Sequence, residues 1–188
     1  AEVYKQLGDK ERVISILEKG KKIDATNTLI LLNLADIYRA LNRFDDAFSE
    51  LKIAFANPEL NIDEKIRTVL SLFPLFSSDH KFKIFAEELA AIIVSAHSQD
   101  PKSYAVYGDV LFQENKYQEA LQAYKNALKL NNQVFHLWEQ VIQIEIGEKN
   151  FQQAIADSEL ALTIFPNQIT LHLFIGIAYS QLQQHKKA

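Results

Sequence analysis

The chain has no cysteine and no methionine among its 188 residues. Without thiols there are no disulfides, no zinc–thiolate sites and no cysteine nucleophile. The compartment stays open, since cytosol and periplasm both suit a cysteine-free chain. Glycine is scarce, at 5, and proline scarcer, at 4, and no glycine-rich loop is present to cradle a phosphate. The longest apolar run, Leu89 to Val94, is far too short to span a bilayer. Lys and Arg number 20 against 24 Asp and Glu, a net charge of −4, so no broad basic face is offered to nucleic acid. No signal or transit segment is visible. What remains, 48% apolar and 23% charged residues, suits a soluble globular chain that buries about 70% of its unfolded surface.

What the chain does have is a period. Ala120 and Ala154 stand 34 residues apart, and the next alanine on that count is Ala188. Ala47 and Val13 are also 34 apart. Tyr104, Tyr107, Gly108, Leu111, Tyr124 and Ala127 surround Ala120; Trp138, Val141, Ile142, Glu145, Ser158 and Ala161 hold the same places around Ala154, and Pro166 closes that unit. Apolar residues recur at three- and four-residue intervals, the pattern of a helix with one buried stripe. A small residue sits where two helix axes approach closely. Short polar turns at Glu114–Lys116, Gly147–Asn150 and Gln183–Gln184 divide each unit into two helices. A fixed period of this size marks a solenoid, whose units cannot bury their apolar faces alone. The spacing predicts an all-α chain of stacked antiparallel hairpins.

On these residues the chain resembles the tetratricopeptide repeat family, whose pattern is W-x2-L-G-x2-Y, then A-x3-F, then P. Trp138, Pro166, Gly108, Gly176, Tyr179 and the alanine series match; Ser158 in place of an aromatic and Ile142 in place of glycine depart from it. The resemblance implies a right-handed α–α superhelix, with one array over 1–188. Its units fall near 1–27, 28–61, 62–100, 101–134, 135–168 and 169–188, the first and last truncated. Leu7–Gly8 reads as the end of a first helix and Ala188 as the start of a second. With neither end capped and no methionine, the expectation is the interior or core of a longer array.

Taken in order, Asp9 to Lys22 reads as a second helix with Val13, Ile16, Leu17 and Ile23 inward. Lys19, Lys21 and Lys22 suit its C-terminal dipole better than a basic patch. Thr26 or Asn27 caps the next helix, whose Leu31, Leu34, Ala35 and Tyr38 take the family's positions. Phe44 to Ala56 returns with Ala47 and Leu51 inward. The unit at 62–100 is irregular: Ala47 and Ala120 are 73 residues apart, five beyond two periods. Asn61, Asp63 and Glu64 open a helix there, Pro74 kinks or ends it, and Phe82 to Ala96 forms its partner. Either Ala86 or Leu89 fits the small-residue place. A tolerated loop insertion explains the extra length more simply than a widened groove or a joint. Ile169 to about Leu182 is a final first helix. Its stripe, Leu171, Phe174, Ile175 and Ala178, is expected to lack its covering helix and to pack on a second molecule.

The search for chemistry is negative. The five histidines, His80, His97, His136, His172 and His185, include no pair at i+3 or i+4. His136 with Glu139 makes two ligands, too few for a metal site. No nucleophile–base–acid set stands out, the aromatics fall on core positions, and the expectation is a non-enzyme without cofactor or metal. The family resemblance instead implies a groove along the first helices. Its positions here are Leu29, Leu32, Asp36 and Arg39; Lys102, Ala105, Asp109 and Phe112; His136, Glu139, Gln143 and Ile146; Thr170, Leu173, Ile177 and Ser180. Such a surface suits an extended peptide or a partner's helix. The family's carboxylate clamp is not expected, because Asp36 and Asp109 replace the required Asn and Leu32 and Ala105 the required Lys. The leading reading is a noncatalytic protein-interaction scaffold, without nucleic acid or membrane insertion. An assembly module joined through its repeat ends, or a regulatory arm of a larger protein, are the alternatives.

Overall fold

The structure is a computed structural model and describes residues 10–183. The expectations for Leu7, Gly8, Asp9, Gln184, His185 and Ala188 lie outside the described residues. The chain divides into two compact units at His97 and Ser98. In the first, the helices are α1 (Lys10–Ile23), α2 (Thr28–Ala40), α3 (Phe44–Phe55), α4 (Ile62–Leu70) and α5 (Lys81–Ala96), with a 3-10 turn at Phe73–Leu75 before α5. The second holds α6 (Pro101–Gln113), α7 (Tyr117–Leu130), α8 (Phe135–Gly147), α9 (Phe151–Ile164) and α10 (Ile169–Gln181). No strand occurs among the described residues, so the fold is all-α, built of helical hairpins.

The helix starts have local causes. The Asn27 side chain accepts from the Ile30 amide at 3.2 Å, which makes it, rather than Thr26, the cap of α2. Asn61 accepts from the Asp63 amide at 2.8 Å, and Asp100 from the Lys102 amide at 2.9 Å. Pro101 at the first position of α6 gives up only an amide that has no helical partner. The hairpin turns repeat as well: Asn42, Asn115, Lys149 and Gln183 all have positive φ, between 58° and 63°. That left-handed residue reverses the chain within three residues, and asparagine tolerates it best after glycine.

The small residue of each unit is buried as its spacing requires. Val13, Ala47, Ala86, Ala120 and Ala154 are at most 4% exposed. Counting 34 back from Ala120 reaches Ala86, so the extra residues precede it. They sit in the ten-residue connection 71–80 between α4 and α5, where the other hairpins use three. α4 stops at Leu70 and Pro74 falls inside the 3-10 turn. Leu89 is buried too, on the same stripe as Ala86, Ala90 and Ile93.

Two inward assignments are corrected. Ile16 and Ile23 are 39% and 89% exposed. Ile16 and Ile23 lie roughly 80° and 100° around α1 from the midline of Val13 and Leu17, which faces α2. At the other end, Leu171, Phe174 and Ala178 are buried and Ile175 is half-buried. Leu171 and Phe174 join the core that contains Ala154 and Ala161 of α9, so this stripe is covered within the chain and is not an open surface. Ile169, Leu173 and Ile177 are what α10 exposes.

Candidate binding faces

In the first unit the structure brings Leu29, Leu32, Asp36 and Arg39 together on one face of α2. Asp36 and Arg39 form an exposed ion pair at 3.0 Å. Beside them a hollow of about 190 Å³ opens toward α4, with Leu32, Asp36 and Arg39 on one wall and Glu64 and Thr68 on the other. Ala35, Leu51, Phe55 and Leu60 form its floor. A second hollow, of about 380 Å³, continues past Leu29, Asn57 and Glu59 and shares Leu32 and Leu60 with the first. Leu60, Glu64 and Thr68 escaped the sequence reading because the irregular unit had no register. Their four-residue spacing was the available signal.

Lys65 sets how α4 lies. It stands 34 residues after Leu31, where a large apolar side chain belongs, yet it is wholly buried. Its ammonium donates to the backbone carbonyls of Phe55 at 2.7 Å and Asn57 at 2.8 Å, and to His97 Nε2 at 2.7 Å. Burial pulls its pKa down to about 8. Three strong acceptors compensate the desolvated charge and tie α4 to the end of α3. Trp138 does the same in the second unit, donating its indole N–H to the Asn132 carbonyl at 2.9 Å.

In the second unit the predicted positions divide. Asp109 accepts from the Tyr124 hydroxyl at 2.8 Å; burial pushes its carboxyl up, while that bond and nearby His136 oppose the rise. The Tyr124 ring lies so close to Gly108 that a Cβ there would stand 2.6 Å from it, which explains glycine at this place. His136 is exposed, with Nδ1 3.7 Å from Glu139. Lys102 and Gln143 are exposed as well. Phe112 is half-buried and meets Tyr117 edge-on, with centroids 5.4 Å apart, so it works in packing. Leu173 and Ile177 are 59% and 37% exposed. Among the described residues, no three His, Asp or Glu side chains gather as metal ligands.

The opposite side of α8 holds features that the sequence reading missed. Trp138 and Val141 lie about 200° around the helix from His136 and Glu139. With Leu128 and Lys129 of α7 and Leu160 and Ile164 of α9, they line a hollow of about 300 Å³. At its edge Lys125 binds buried Glu145 at 2.7 Å and Asp157 at 3.0 Å. Burial first, and then Asp157, push the Glu145 carboxyl up to about 7 against the pull of Lys125. Glu145 stands where the pattern has tyrosine. In the first unit the same two places hold Tyr38 and Glu18, whose hydroxyl–carboxylate bond is 2.8 Å.

A family model described as a TPR repeat matches residues 108–135. The solved structure of MamA is 18% identical and superposes with a TM-score of 0.53, over 97% of this chain and 84% of that one. The fold is that of a tetratricopeptide repeat protein. Another MamA structure, from AMB-1, gives a TM-score of 0.60 at 18% identity, over 88% of this repeat protein and 87% of its own chain. YrrB, described as a TPR protein with an unusual peptide-binding site, gives 0.56 at 14% identity, over 91% and 86%. No curated protein sequence matches the chain. No helix among the described residues is long and apolar enough to cross a membrane.

Proposed function

We propose that this tetratricopeptide repeat protein is a noncatalytic interaction scaffold that holds a partner peptide or helix on its first-helix face. The supporting observation is the connected pair of hollows in the first unit, apolar along Leu29, Leu32 and Leu60 and charged along Asp36, Arg39 and Glu64. An apolar floor with a few polar groups at its rim suits peptide recognition, since the floor supplies affinity and the rim supplies register. In the second unit Gln143, Leu173 and Ile177 are exposed on their own first helices. YrrB, of the same fold, is described as having a peptide-binding site, which supports the reading.

The test is to select peptides on the intact chain from a display library and measure their affinity by fluorescence anisotropy. Leu32→Glu or Arg39→Glu should weaken the selected peptides at least about tenfold. Circular dichroism should show both variants folded, because Leu32 is half-buried and Arg39 is exposed. Peptides indifferent to both substitutions would place binding elsewhere and contradict the reading.

A further inference from the structure

We infer that the hollow between α7 and α9 is a second docking site, which takes one bulky apolar side chain from a partner helix bearing a carboxylate one turn away. Its walls are Leu128, Trp138, Val141, Leu160 and Ile164. The indole N–H of Trp138 is turned to the Asn132 carbonyl, so the ring adds apolar surface to the cavity. Leu160 is 51% exposed at its mouth. A volume of about 300 Å³ is at the bottom of the range for small-molecule pockets. It accommodates a single aromatic or long aliphatic side chain.

The first unit shows what fills such a gap when it is closed. Lys21 and Glu50 stand 29 residues apart, as do Leu128 and Asp157, at the same places in the repeat. Lys21 of α1 crosses to Glu50 of α3 and bridges the two second helices. Leucine at the Lys21 place cannot make that bridge. Asp157 is held instead by Lys125, one turn earlier in α7, and the gap beside Leu128 stays open and greasy. Two second helices flanking a trough along α8 form the kind of groove that receives an amphipathic helix through anchors one turn apart.

Charge then selects the flank. The Asp157 side chain is 14% exposed and engaged by Lys125. Lys129 is exposed on the rim, with its ammonium bonded to Asn126 Oδ1 at 3.1 Å; three N–H donors leave it capacity for a carboxylate. The charge presented outward is therefore positive, which favours an acidic neighbour to the apolar anchor.

Trp138 is the sole tryptophan of the chain and reports on this cavity directly. The probes are two tryptophan-free alanine-based helical peptides, with Phe followed four residues later by Glu in one and by Lys in the other. Titration into the full chain should shift Trp138 emission saturably with the Glu peptide. The Lys peptide should bind about fivefold more weakly, the range of an exposed ion pair. Lys129→Glu should invert that preference. Leu160→Glu should remove binding of both peptides at unchanged circular dichroism, and Leu32→Glu should leave it intact, which separates this site from the first-helix face. The inference is overturned by no saturable change with either peptide, by equal affinity for the two, or by binding that survives Leu160→Glu. Self-association in sedimentation that Leu160→Glu abolishes would assign the cavity to a second copy and also overturn it.

Discussion

At the scale of single residues, the least ordinary feature is Glu145, a carboxylate 1% exposed in the helical core. Lys125 is shared between it and Asp157, and the second oxygen of Glu145 has no hydrogen-bond partner. Two carboxylates with one cation favour the protonated acid, as does burial. Its pKa thus lies above the ordinary 4.5, at about 7. The folded chain keeps a proton that the unfolded chain releases, so this group's contribution is full below pH 4.5 and is lost as pH rises through 7. Glu145→Gln should flatten that slope and raise stability at pH 8 by about 1–2 kcal/mol. Urea denaturation at pH 5 and pH 8 measures it; an unchanged slope would assign the pH dependence elsewhere. Glu145 stands at the pattern's tyrosine place, a departure that the sequence reading did not single out. The sequence does not show the partners, because Lys125 and Asp157 lie on two other helices and become neighbours only on stacking. Lys65 was hidden for the same reason: two of its acceptors are backbone carbonyls that no side-chain motif records, and the third, His97, lies 32 residues away.

At the scale of elements, the helices and their turns were legible because each depends on a local rule. Caps, the apolar stripe and the polar turn all act within a few residues. The left-handed turn residue is a case in point: Asn fills it at 42 and 115, but Lys149 holds it with φ 63°. Any Cβ carries a steric cost there, which β-branching increases, so Lys149→Gly should stabilise the chain by about 0.5–1 kcal/mol and Lys149→Val destabilise it. The urea midpoints of the two variants should move in opposite directions. The connection 71–80 was not legible. Pro74 signals that a helix cannot continue but says nothing about how many residues the chain then uses before Lys81. Ile16 and Ile23 were misplaced because hydrophobicity alone does not reveal how wide a stripe the neighbouring helix covers. On α10, whose apolar residues run almost around the helix, the repeat offsets did separate buried Leu171 and Phe174 from exposed Leu173 and Ile177; what they did not show is that α9 covers the stripe within the chain.

At the scale of the molecule, each repeat is stable through its neighbours. Ala154 is 1% exposed where α8 and α9 approach, and leucine there overfills the contact at a cost of about 1–3 kcal/mol. Hydrogen exchange on Ala154→Leu should show protection lost across α8 to α10 while α2 and α3, in the other unit, keep theirs. Uniform loss through both units would show that the chain unfolds as one body. The groove positions came from the family resemblance, and the shared face of Leu29, Leu32, Asp36 and Arg39 on α2 follows from their spacing, since residues at given offsets face the same way. The cavity beyond them was not legible, because it arises from one leucine at a place where the earlier unit has lysine. The claim on which the function rests is that partners lie along the first helices. A photo-crosslinking side chain at Leu32, compared with one at Ser49 on the exposed side of α3, tests it most directly. The account predicts covalent capture of a bound peptide from position 32 and none from 49; capture from 49 alone would contradict it.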